Sequence, residues 1–204
     1  MSITFERNQS RARPFRSTLF CGAFVWFVLA PGQAAEGYAL STEAVNIPER
    51  GEVIGYVLRV EDKEFRFIPP SKWSVKYDPT RKTATLLPPD LGAGLSFTIA
   101  SESDGRGEDL KLEGLRDLIL TRYPEAQITA EFKCYSAGKA GFAFEFERLV
   151  EKETKAAFRV AFVPFDGGVI EFELKTTGSK LPAYHHIFGN LLNSFRVGPP
   201  PAGE

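Results

Sequence analysis

The sequence predicts an α+β fold, an antiparallel sheet with two amphipathic helices packed on it. Three observations carry that expectation. Apolar and polar residues alternate through most of the chain, which is the period of a strand with two unlike faces. Two stretches alone switch to the helical period. The chain also holds 18 Phe against one Met and two Trp, and large flat rings suit a pleated surface better than a helical bundle.

In chain order, the first element is a targeting segment. A stretch ending at Arg16 carries Arg7, Arg11, Arg13 and Arg16 against Glu6 alone. The apolar run Ser17–Ala30 follows, then Pro31 and the small-residue site Gly32-Gln33-Ala34. Basic, apolar and small regions in this order predict a secretory signal over residues 1–34, cleaved after Ala34 or Ala35. The run is shorter than the ~20 residues that cross a bilayer as a helix. Cys21 opens the apolar run behind bulky Phe20, which argues against lipidation, and Arg11-Ala12-Arg13 is too interrupted for a twin-arginine signal.

Residues 35–59 are expected to form an N-terminal extension with a first strand, and residues 60–197 the folded domain. Its strands alternate at Phe65/Phe67, Trp73/Val75/Tyr77, Leu95/Phe97/Ile99, Ile128/Ala130/Phe132, Phe142/Phe144/Phe146, Phe158/Val160/Phe162 and Ile170/Phe172/Leu174. Pro69-Pro70, Asp78-Pro79, Pro88-Pro89-Asp90, Gly138 and Asp166-Gly167-Gly168 supply the turns. Short turns join the last four strands, so they should form an antiparallel meander. Leu112, Leu115, Ile119 and Tyr123 predict one helix, ended by Pro124 and capped at Asp109. Tyr184, Ile187, Phe188, Leu191, Leu192 and Phe195 predict another, with Pro182 near its start. Residues 198–204, with three consecutive prolines, read as a disordered tail.

Composition excludes some functions. Residues 1–34 hold a net charge of +3, so the chain total of −1 leaves −4 for the remainder. An acidic domain without a basic stripe does not neutralise phosphates, so nucleic acid is not an expected partner. After cleavage Cys134 stands alone, which excludes an internal disulfide and, on a strand in phase with Ile128, Ala130 and Phe132, suits a buried inert thiol.

No catalytic motif emerges. His185 and His186 are the only histidines, and adjacent helical residues point about 100° apart, so they cannot chelate one ion together. No G-x-S-x-G is present, and Ser179 lacks the strand-to-helix elbow of a nucleophile. Gly105-Arg106-Gly107 precedes a helix, but Glu108 and Asp109 next to it would repel an anion. No cofactor or metal is expected. The remaining feature is acidic: Glu145 and Glu147 alternate with Phe144 and Phe146, and Glu171 and Glu173 alternate with Phe172 and Leu174. If both strands turn their phenylalanines to one core, the four carboxylates share the opposite face with Arg159 between them, a charged surface for docking a partner.

The segment Phe65-Arg66-Phe67-Ile68-Pro69-Pro70-Ser71-Lys72-Trp73 resembles the opening of PsbP-like domains. Gly141-Phe142-Ala143-Phe144-Glu145-Phe146, Val169-Ile170-Glu171-Phe172 and the closing Asn193-Ser194-Phe195 are similar too, over residues 60–197. The family includes lumenal photosystem proteins and the exported bacterial DcrB group. The resemblance implies an α/β/α-type sandwich and a non-catalytic exported accessory role in the periplasm or outside the cell, working with an unidentified protein partner. It transfers no catalytic or metal-binding residue. The alternative is a periplasmic module that binds a small apolar ligand in a Phe-lined space around Phe142, Phe144, Phe162 and Phe188.

Overall fold

The computed structural model describes residues 38–48, 51–101, 112–150 and 155–199. The targeting segment, the Gly105-Arg106-Gly107 loop, Asp109 and the end of the tail lie outside them. Chain order begins with β1 (Tyr38–Ile47), β2 (Gly51–Val60), β3 (Lys63–Phe67), β4 (Ser74–Asp78), β5 (Thr83–Leu87) and β6 (Ala93–Ser101). Helix α1 (Leu112–Arg122) precedes β7 (Gln127–Ser136), β8 (Lys139–Leu149), β9 (Lys155–Phe165) and β10 (Gly168–Thr177). A 3-10 turn leads into α2 (Leu181–Ser194), and β11 (Arg196–Gly198) follows.

Two antiparallel sheets result. One has the order β1-β2-β3-β11, the other β4-β5-β6-β10-β9-β8-β7. The predicted meander is β7 to β10, and β10 closes it against β6. The β7–β8 and β9–β10 hairpins are tight. Ser136 faces Lys139 across Ala137 and Gly138, which take φ of 49° and 75°, the left-handed pair that matches the twist of the flanking strands. Asp166 and Gly167 join β9 to β10, with Phe165 facing Gly168, and of the two turn residues only Gly167 takes a positive φ, 103°.

The large sheet is buried on both faces. On one side α1 sets Leu115 and Ile119 against Phe144, Phe146, Phe158, Val160 and Phe162. On the other, α2 and the small sheet together cover Ala143, Ala161, Ile170, Phe172 and Leu174. Phe195, at the end of α2, joins the layers: its ring lies 4.8 Å from those of Phe97 and Phe172 and 5.4 Å from Phe67.

Antiparallel sheet with two helices is thus the observed class, but the α/β/α sandwich is not. A second sheet shares one face with α2, so the layers are helix, sheet, and sheet with helix. The expected single strand before residue 60 is a full hairpin, β1–β2, that runs to Val60. Strand β5 escaped prediction because its buried residues are only Ala84 and Leu86.

Candidate functional site

Register decides where the five charged positions fall. Glu145 stands opposite Arg159 and Glu147 opposite Ala157, so all three face α2. Glu171 stands opposite Phe162 and Glu173 opposite Val160, so these two face α1. The four carboxylates therefore do not share a face. Across β8–β9, even-numbered residues meet even-numbered ones, whereas the two-residue turn before β10 makes even meet odd. A one-residue change of parity sends a whole alternating set to the other side of the sheet. The loop length Asp166-Gly167 was the available signal. Nor is the sheet open behind the carboxylates, since each face carries a helix.

On the α1 side the acids tether the helix end. Arg122 forms an ion pair with Glu171, and the Tyr123 hydroxyl donates to Glu173. The Tyr123 ring rests 4.9 Å from Phe146 and 5.3 Å from Phe158. Burial, and then the hydrogen bond to Glu173, push this phenol well above its ordinary range.

On the α2 side a compact polar cluster forms. Arg159 donates from Nε to Glu145 Oε1 at 2.7 Å and from Nη2 to the same oxygen, with side-chain exposures of 13% and 15%. The guanidinium lies 5.1 Å from the centre of the Phe132 ring and 5.8 Å from that of Phe188, an arrangement that favours the cation over the ring face. His185 Nε2 approaches Glu145 Oε1 to 3.2 Å, outside hydrogen-bond geometry. Burial, aided by the charge of Arg159 and opposed by Glu145, lowers the imidazole below its ordinary value. Glu147 turns outward to Lys155 at 3.6 Å. His185, Phe132 and Phe188 were not foreseen as its partners, because α2 and β7 meet only in the folded chain.

Cys134 is half-buried, and desolvation pushes its thiol up to about 11. It stays in phase with Ala130 and Phe132, while a bulge between Ile128 and Ala130 turns Ile128 to the α1 side. Ser179 sits in the 3-10 turn ahead of α2. Among the described residues, no group of three or more His, Cys, Asp or Glu could hold a metal ion.

The open space lies elsewhere. After β3 the chain runs through Ile68-Pro69-Pro70 and turns at Lys72, whose φ is 68°, with the Trp73 amide donating to Pro70 O at 3.1 Å. Two lobes of about 450 and 470 Å³ open on either side of this segment and share Ile47 and Trp73. One is walled by α2 through His186, Ile187 and Asn190, the other by the β1–β2 hairpin through Val53, Ile54 and Tyr56. Ser194 secures the segment: it accepts from the Ile68 amide at 3.1 Å and donates to Leu191 O at 2.8 Å. Ile54 stands 65% exposed beside it. His186 is exposed and lines the α2 wall of this cleft. By contrast, the Phe-lined space is filled: Phe144, Phe162 and Phe188 are buried, and Phe188 lies across the sheet from the other two.

The chain is similar in structure to PsbP-like domains. The solution structure of cyanobacterial PsbP (CyanoP) from Synechocystis sp. PCC 6803 matches at 16% identity and TM-score 0.46, over 78% of this chain and 93% of that one. PA94 from Pseudomonas aeruginosa, a protein of unknown function, matches at 14% and 0.41, over 71% and 89%. LpqN, involved in cell envelope biogenesis of Mycobacterium tuberculosis, matches at 11% and 0.41, over 78% and 92%. No family model matches the chain, and no curated protein matches it in sequence. Among the described residues no helix is long and apolar enough to cross a membrane.

Proposed function

We propose that this chain is an exported, non-catalytic accessory domain that works by protein interaction in the periplasm or outside the cell. The cleft beside Trp73 carries the reading. A Trp flanked by two prolines and by solvent-facing Ile54 offers rigid apolar area with polar groups at its margin, the composition of an interaction hot spot. Of the charged positions, only Glu147, 36% exposed, is left to the docking proposal, since Glu145 and Arg159 are buried against each other beneath α2. Glu171 and Glu173 serve α1 instead.

A photo-crosslinking residue at position 54 tests this in the native host. One protein, identified by mass spectrometry, should be captured, and His186→Glu on the opposite wall should cut its capture at least tenfold. Capture that His186→Glu leaves unchanged would remove the cleft from the interaction.

The alternative, a module for a small apolar ligand, rests on the volume of each lobe, which lies within the range of ligand pockets. Native mass spectrometry of the protein from its host would then show a retained mass that is lost in Ile54→Glu. A chain that carries no extra mass counts against it.

A further inference from the structure

We propose that the outer edge of β1 pairs with the β1 edge of a second copy, giving a two-fold dimer with one continuous eight-stranded small sheet. This is independent of the cleft and of its occupant.

An edge strand presents a row of backbone donors and acceptors, and proteins that stay monomeric blunt such rows with shortness, charge or bulges. Three of the four sheet edges here are blunted. Strand β4 is 5 residues long and carries Lys76 and Asp78. Strand β7 is bulged between Ile128 and Ala130 and carries Glu131 and Lys133. Strand β11 has 3 residues and begins with Arg196. Strand β1 has none of these devices. It runs 10 residues in unbroken register with β2, contains no proline or lysine, and has Glu43 as its one charge. Among the described residues nothing pairs with its other side.

The strand is also complementary to itself in one register. A two-fold axis normal to the sheet keeps each copy's core on the same face, and centring it on Thr42 sets Thr42 against Thr42, a favourable cross-strand pair. Leu40 then meets Ala44, and Tyr38 meets Asn46. Because Leu40 lies beside Leu58, and Ala44 beside Ile54, the inner face gains an apolar row Leu58–Leu40–Ala44–Ile54 across the junction. On the outer face Glu43 meets Ser41 and keeps its own ion partner, Arg66, at 3.6 Å. Moving the axis by one residue would set Glu43 against Glu43, where like charges oppose pairing. Isologous pairing of this kind closes at two copies and leaves no free β1 edge.

Sedimentation of the purified chain over concentrations up to about 100 μM should show conversion to twice the monomer mass. Thr42→Lys, an exposed change that sets two ammonium groups face to face, should sediment as a monomer with an unaltered far-ultraviolet spectrum. With Cys21→Ser and Cys134→Ser in place, Thr42→Cys should oxidise to a covalent dimer. Glu43→Cys should not, since its counterpart would be a diagonal neighbour about 7–8 Å away. A chain that stays monomeric throughout, a dimer that survives Thr42→Lys, or a crosslink that prefers position 43 would overturn the proposal.

Discussion

Replacing Glu145 with Lys should cost about 3 kcal/mol, the lower end of the range for leaving one member of a buried ion pair without its partner. The structure supplies the reason. Both side chains are more than four-fifths buried, and Arg159 is held between Phe132 and Phe188 with its donors on one carboxylate oxygen. The new ammonium would meet a guanidinium with little water between them. In a chain of this size each kcal/mol moves the melting temperature by roughly 2–4 °C, so a fall of about 6–12 °C is expected. Scanning calorimetry near neutral pH reads it directly. Glu147→Lys is the control: that carboxylate is 36% exposed and meets Lys155 at 3.6 Å, so its loss should stay within about 0.5 kcal/mol. An Arg159→Met partner mutation would complete a double-mutant cycle with a coupling of about 1 kcal/mol or more. If Glu145→Lys melts with the wild type, or if Glu147→Lys falls as far, the pair is not desolvated and the reasoning fails.

Other expectations follow from the same geometry. Gly141→Ala would drive a Cβ to 2.1 Å from the Phe162 carbonyl oxygen, and since backbone cannot yield as a side chain does, the loss should exceed about 2 kcal/mol in urea unfolding; a stable Ala variant would contradict the β8–β9 approach. Phe195→Ala removes the ring that touches Phe67, Phe97 and Phe172 and should cost about 3–5 kcal/mol, measured the same way. Cys134, with a thiol near 11, should resist iodoacetamide at neutral pH in the folded state and react at an ordinary rate in urea. His185 is held below its ordinary value of 6.5, so the unfolded chain takes up the proton first. The stability that depends on the neutral ring is whole above about pH 6.5 and is lost as pH falls toward the lower folded value. His185→Gln should flatten that part of the profile of melting temperature against pH.

Much of the fold was legible because alternation and helical period are local properties. The Phe142/Phe144/Phe146 and Ile170/Phe172/Leu174 sets announced their strands, and the α2 stripe announced its helix. The turns were legible as well, since proline and glycine restrict or release φ on their own. What alternation does not carry is the assignment of a face. With large residues on both sides of the sheet, either phase of a strand finds a core, and Glu171 and Glu173 went to the α1 side through the parity of one hairpin turn.

The candidate cleft was illegible for a different reason. Ile47, Ile54, Trp73 and His186 come from four separate segments, and no spacing links them. The strand-proline-tryptophan stretch at residues 65–73 was legible only as a packing signature, and the pocket the sequence suggested lay elsewhere, around Phe142, Phe144, Phe162 and Phe188. The cleft's open character arises where Ile68-Pro69-Pro70 leaves the end of β3 and passes, outside both sheets, between α2 and the β1–β2 hairpin.

By itself, then, the sequence determined the antiparallel strands, the two helices and the acidic balance that disfavours nucleic acid, since each depends on residues near one another in the chain or on their totals. Only the tertiary structure decided that the domain has two sheets and two cores, that Glu145 and Arg159 form a buried pair while Glu171 and Glu173 tie down α1, and that β1 lies at an unblunted edge. These are matters of which segments meet, and that is settled by register and layer packing, where a single residue of offset exchanges one face for the other.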